Sequence, residues 1–115
     1  MYDKENKSVR KSVTEFFNSL SSFENSIFDI EYTTQFKKDV KLCYKRNLDL
    51  QQLENVIKLL AETGALPAKY KPHPFPNRGV MECHIQPDWL LIWKQHDDTM
   101  FLMLLESGTH SDLFG

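Results

Sequence analysis

Cysteine is scarce in this chain, with only Cys43 and Cys83 among 115 residues. No CxxC spacing links them, so neither a disulfide framework nor a paired redox thiol is suggested, and both fall in segments that read as a helix and a strand interior. Long apolar runs are lacking too. The longest, MFLMLLE, falls far short of the roughly 20 residues needed to cross a bilayer, so no membrane span is predicted, and no secretory leader is read ahead of the cysteines. Reduced, packed thiols in a cytoplasmic protein are the expectation. An HExxH motif and any His/Cys cluster are also missing, which argues against a zinc enzyme.

A strong charge of one sign is missing overall, the net value being −2, but what charge there is lies unevenly. Residues 33–79 carry nine Lys/Arg against four Asp/Glu, residues 1–32 four against six, and residues 80–115 one against six. A basic middle between acidic flanks suits a polyanion on one face, and a solvated helix surface accounts for it equally well. With 41% hydrophobic and 12% aromatic residues, the chain has enough apolar material for one compact domain and too little for two.

Periodicity predicts an α+β order. Residues 8–23 place Val9, Val13, Phe16, Phe17 and Leu20 on one apolar stripe of an amphipathic helix. IFDIEY reads as a short strand. Thr33 or Thr34 caps a helix running to about Asn47, with Phe36, Val40, Cys43 and Tyr44 inward and Lys37, Lys38, Lys41 and Lys45 outward. In DLQQLENVIKLLAETG, Asp49 is the N-cap, Gln52 stands at the capping-box position and Gly64 is the stop. ALPAKYKPHPFPN holds four of the five prolines and reads as a fixed loop. Three strands follow, RGVMECHI, DWLLIWKQ and TMFLMLLES, with connections short enough for antiparallel hairpins. Alternation on the first of them sets Val80, Glu82 and His84 on the face opposite Met81, Cys83 and Ile85.

The titratable groups that invite chemistry are His73 in the proline loop, His84 and Asp88 around the first hairpin, and His110 near the end. Each alone has a structural explanation: an exposed loop residue, a hydrogen-bonded sheet histidine, a turn aspartate, a cap on the short helix SDLF. His96 reads as turn decoration. An antiparallel sheet can nevertheless bring all four together. Three imidazoles and a carboxylate then admit either a metal site or metal-free acid-base catalysis.

Three separated motifs, YKPHP, ECHIQPDWLLIWK and GTHSDLFG, occur in an order that resembles the YafQ branch of the RelE toxin superfamily, over a span from about Ile30 to Gly115. The resemblance implies a RelE-like fold, an antiparallel sheet packed against two helices, with residues 30–115 as the toxin domain and residues 1–29 as an N-terminal helical extension. It implies a bacterial type II toxin that enters the ribosomal A site and cuts messenger RNA, restrained by a small RelB- or DinJ-like antitoxin through which alone it meets operator DNA. No cofactor is implied. By position, His73 and His84 are similar to the pair that holds the scissile phosphate, Asp88 to a general base or orienting carboxylate, and His110 to the principal proton-transfer histidine. Trp89 and Phe114 match aromatic positions that shape the site or stack on a base, and the Lys37, Lys38, Lys41 and Lys45 row would meet ribosomal RNA.

The chain departs from the family pattern at Glu106, where active members carry an arginine just ahead of the small-residue pair leading into GTH. A carboxylate there repels phosphate, which implies reduced activity, with Arg78 and Lys71 the nearest replacement cations in sequence. Alternation puts Glu106 on the same face as Leu104, with its head group at the rim of the sheet. The alternative to an enzyme is a catalytically weakened toxin fold that binds its antitoxin and regulates transcription. The other departure is the leading segment, expected to be a packed accessory helix, with a cover over the sheet edge or site, or a self-association element, as the other options.

Overall fold

Capping chemistry sets the start of each helix in the computed structural model, which describes residues 10–115. The first helix, α1 (Val13–Leu20), begins later than periodicity suggests because Ser12 closes a capping box: its hydroxyl accepts the Glu15 N–H, and the Glu15 carboxylate accepts the Ser12 N–H. Val9, expected on the same apolar stripe, lies outside the described residues. In α2 (Thr34–Lys45) the N-cap is Thr33, whose hydroxyl also donates to the Leu105 carbonyl, tying the helix start to the sheet. Asp49 caps α3 (Leu50–Thr63) and Gly64 ends it with φ +74°, a left-handed conformation that favours glycine. Gln52 does not close the expected box. Its side-chain oxygen instead accepts from Gln86, an interaction across 34 residues that no local pattern reveals.

Among the described residues, five strands form one sheet in the order β1 (Asp29–Tyr32), β5 (Phe101–Gly108), β4 (Trp89–His96), β3 (Val80–Gln86), β2 (His73–Phe75). The last four pair antiparallel, while β1 runs parallel to β5 after the helical crossover. The proline-rich stretch is thus more than the predicted loop: after a 3₁₀ turn at Ala68–Tyr70, it supplies β2. A strand containing Pro74 can exist there because it is an edge, where one row of backbone groups needs no partner.

The core lies between the helices and one face of the sheet. Phe36, Val40 and Cys43 of α2 and Leu53, Val56, Ile57 and Leu60 of α3 bury against Cys83, Ile85, Leu91, Trp93, Leu102 and Leu104. Both thiols are free and buried, and burial pushes each up to about 12, which makes them inert packing groups.

Helix α1 joins this same core. Phe16 is fully buried and Leu20 nearly so, and the rings of Phe16, Phe17, Tyr32 and Phe36 pack within 4.8–6.4 Å of one another. Ahead of the helix, Lys11 pairs with Glu54 of α3, and the Arg10 guanidinium stacks 3.9 Å from the Tyr44 ring while donating to the Tyr44 carbonyl. Phe16→Ala should therefore cost about 3–5 kcal/mol in urea denaturation, as for other buried Phe truncations, and a chain starting at Ile27 should melt at a lower temperature than the full chain. Unchanged unfolding curves would show that α1 does not pack on the domain in solution.

Candidate active site

Cross-strand register decides which side chains share the face of the sheet turned away from the helices. Glu82 pairs with His73 on one side and with Ile92 on the other, and Ile92 pairs with Glu106. One row therefore reads His73, Glu82, Ile92, Glu106. The next row reads His84, Leu90, Gly108. Leu90 and Ile92 are buried but stand outside the helix-side core cluster, as opposite-face residues must.

Strand β5 reaches this arrangement through a bulge. Trp93 pairs with Leu104 while Ile92 pairs with Glu106, leaving Leu105 as the extra residue. A bulge shifts every later side chain to the other face. Glu106 consequently does not share the face of Leu104, as uninterrupted alternation had it, and it lies on the same face as the histidines.

The three candidate histidines differ in what their ring nitrogens meet. His73 Nδ1 lies 2.7 Å from the Lys71 carbonyl and Nε2 lies 2.8 Å from Glu82 Oε1. His84 Nδ1 lies 3.2 Å from the Pro87 carbonyl, which can only accept, so that nitrogen carries the proton and Nε2 is left for chemistry. His110 is exposed, its backbone N–H donates to Asp88 Oδ1 at 3.2 Å, and its Nδ1 is 3.7 Å from the same oxygen. The His73 and His84 rings are 6.3 Å apart. The His110 ring lies tilted 5.5 Å from Phe114, which meets Phe75 edge-on at 5.8 Å. The Arg78 guanidinium covers Phe75 at 4.8 Å, at the margin of the group. Lys71 is exposed and contributes its carbonyl to His73. The loop, the first hairpin and the chain end thus bring His73, His84, Asp88 and His110 to one side of the sheet.

Helix α4 (His110–Phe114) carries His110 and Phe114, and contacts from elsewhere hold it. Thr109, not His110, is its N-cap, accepting from the Asp112 N–H. Arg46, just past α2, grips Asp112 with two bonds of 2.7 and 3.1 Å, and these hold the Asp112 carboxyl below its usual range. Behind the helix, buried Ser107 is fully engaged. Its N–H donates to Asp39 Oδ2 at 3.0 Å, and its hydroxyl donates to the Leu90 carbonyl and accepts the Trp89 indole N–H.

That last bond bears on Trp89, which was expected to shape the site or stack on a base. The ring is 1% exposed and packs in the core, because β4 alternation groups it with Leu91 and Trp93, and it cannot stack on a base from there. The aromatic group on the site side is Phe114 with Phe75, and of these two the sequence did not single out Phe75. Glu82, Asp39, Ser107, Arg46 and Asp112 were also missed as supports. For Glu82, period-two alternation with His84 was a signal; for the others no sequence signal exists. Lys37, Lys38, Lys41 and Lys45 are exposed along α2, on the helix side of the sheet and apart from the histidines. Helix α1 packs on that side as well, so it does not cover the histidine face.

Comparison with known proteins gives one consistent result. The family model described as a bacterial toxin of type II toxin–antitoxin systems, YafQ, matches residues 28–115. The mRNA interferase toxin YafQ of Escherichia coli BL21-DE3 is 46% identical over 90 residues, covering 76% of this chain and 96% of that protein. The crystal structure of the E. coli DinJ–YafQ toxin–antitoxin complex aligns with TM-score 0.71 at 42% identity, over 77% of this chain and 99% of that one. A metal-bound toxin from Helicobacter pylori aligns with TM-score 0.68 at 37% identity, over 76% and 99%.

The support behind α4 yields a stability prediction. Burial raises the Asp39 carboxyl above its ordinary value of 3.8, so its contribution to stability is fully present below that value and is lost as pH rises through the raised one. The stability of the parent minus that of Asp39→Asn should decline with rising pH across this window and then level off, as measured by urea denaturation. Asp39→Ala, which leaves the buried Ser107 amide without its acceptor, should cost about 1–3 kcal/mol.

Proposed function

Because the chain belongs to the YafQ family of bacterial type II toxin–antitoxin toxins and its Escherichia coli relatives are mRNA interferase toxins, we propose that it is a cytoplasmic, ribosome-dependent endoribonuclease that cuts messenger RNA in the A site and is restrained by a DinJ-like antitoxin. The reaction is acid-base transfer. A base takes the ribose 2'-hydroxyl proton, the 2'-oxygen bonds to phosphorus, the bond to the 5'-oxygen breaks, and an acid protonates that leaving oxygen. The observation that carries this reading is the gathering of three imidazoles and Asp88 beside an aromatic pair on one face of the sheet.

The geometry suggests who does what. His84, with Nδ1 committed to the Pro87 carbonyl, offers a bare Nε2 as a proton acceptor. His110, exposed and steered by Asp88, offers its ring to the leaving oxygen. Asp88 serves as an orienting carboxylate in this scheme. Phe114 and Phe75 give a flipped base a surface on which stacking contributes roughly 1–3 kcal/mol, and Arg78 supplies a cation at the margin, with Lys71 beside His73. The Lys37, Lys38, Lys41 and Lys45 row on the opposite side fits ribosomal RNA phosphates, which lets one small protein be held by the ribosome while its sheet faces the messenger.

Glu106 lowers the rate in this proposal. Negative charge builds on the phosphorane oxygens as the 2'-oxygen attacks, and Glu106 brings a carboxylate to the same row as Glu82. A second reading, in which the fold keeps antitoxin binding and has lost cleavage, rests on the same placement. Induction in a bacterial host separates them: growth arrest with cut transcripts supports the enzyme, and silence with antitoxin binding intact supports the binding module.

Two substitutions test the scheme. His110→Ala should lower single-turnover cleavage on programmed ribosomes by about 10²–10⁴-fold with unfolding and antitoxin affinity nearly unchanged, and an equally active variant removes His110 from the mechanism. Glu106→Arg should raise cleavage by about 10- to 10³-fold, the scale of one charge-stabilising group, with Glu106→Gln intermediate. A parent already as fast as the arginine variant would mean that another cation, such as Arg78, already serves the phosphate.

A further inference from the structure

With Glu82 ionised, neither neutral tautomer of histidine can make both of the bonds seen at His73. The Lys71 carbonyl facing Nδ1 accepts only, and the Glu82 carboxylate facing Nε2 accepts only, at 2.7 and 2.8 Å. A neutral imidazole has a single N–H, so against an ionised carboxylate both bonds form together only when the ring is doubly protonated. The titratable groups placed against this ring are Glu82, its cross-strand partner, and His84, whose ring is 6.3 Å away; Lys71 presents its backbone oxygen.

We propose that Glu82 is a positioning residue that fixes His73 as an imidazolium, so that His73 presents charge to the phosphate and takes no part in moving protons. The burial of the two partners supports this orientation. Glu82 is 13% exposed and His73 44%, so the anion lies inside and the cation is the end a bound phosphate meets. With both N–H groups already engaged, His73 has no open nitrogen to receive a proton, whereas His84 has a bare Nε2. The three histidines then divide the work: one holds charge, and two transfer protons. This proposal rests on the reading of this face as the messenger-cleavage site, which the ring measurement below does not need.

The test uses the full chain labelled with ¹⁵N-histidine, and the variant Glu82→Gln. The glutamine amide can donate to a bare Nε2, so the variant keeps the β2–β3 contact while no longer favouring the second ring proton. At neutral pH the parent should show both His73 ring nitrogens protonated, and Glu82→Gln should show only Nδ1 protonated. A bare His73 nitrogen in the parent, or two protonated nitrogens in the variant, overturns the proposal. In single-turnover cleavage the variant should be slower than the parent by about 10²-fold at pH 8, the scale of one lost stabilising group. The gap should narrow toward pH 6, where a free histidine ring takes up its proton. A loss equal at every pH would mean that Glu82 merely holds the edge strand, and would also overturn it. A parent that cleaves nothing at any pH would refute the nuclease reading while leaving the ring-nitrogen result to decide the Glu82 contact.

Discussion

The buried hydroxyl and amide of Ser107 are the constraint from which the rest of the site follows. Strand β5 has two incompatible duties. Leu102 and Leu104 must face the helices and fill the core, and three residues after Glu106 the chain must turn to place His110 on the other face. The Leu105 bulge resolves the conflict by switching faces in mid-strand. A bulge weakens the ladder where it occurs, and Ser107 restores what is lost: Asp39 takes its N–H, Leu90 takes its hydroxyl proton, and Trp89 donates to its oxygen. Every polar atom of this buried cluster thereby has a partner. Trp89 contributes to the site through this bond, from inside the core.

The other two segments of the site are fixed differently. Strand β2 is three residues long, holds a proline, and would be a weak edge by itself. The His73–Glu82 cross-strand pair and the Phe75–Phe114 contact tie it to β3 and α4. Helix α4, only five residues long, is too short to be stable alone and depends on Thr109, Asp88 and the Arg46–Asp112 fork. Each histidine thus sits on a piece of chain that owes its position to partners far away in sequence. Helix α1 adds to the opposite layer, beside the surface that carries the α2 lysines, and extends the core beyond the span shared with the relatives.

The elements themselves were legible. The helices, the three hairpin strands and the Gly64 stop follow from periodicity, caps and a left-handed glycine, all local properties. The same alternation that set His84 opposite the core also set Glu82 beside it. Along β4, period-two alternation puts Trp89 with Leu91 and Trp93 in the core, a signal not read from the sequence, where the motif resemblance gave Trp89 a place shaping the site or stacking on a base. Gln52 shows the limit of capping rules, which name residues able to cap without saying whether a distant partner such as Gln86 will claim the side chain first.

By itself the sequence determined the α+β order, the family, and the identity of four titratable residues in three separated motifs, because these depend on spacing and residue type. Only the tertiary structure decided on which face Glu106 lies, whether Trp89 is reachable, and what the ring nitrogens of His73 and His84 face. Those outcomes depend on one extra residue in a strand and on carbonyls and carboxylates brought in from other strands. A one-residue change of register inverts every side chain beyond it, and a ring nitrogen is assigned by whatever acceptor the fold places in front of it.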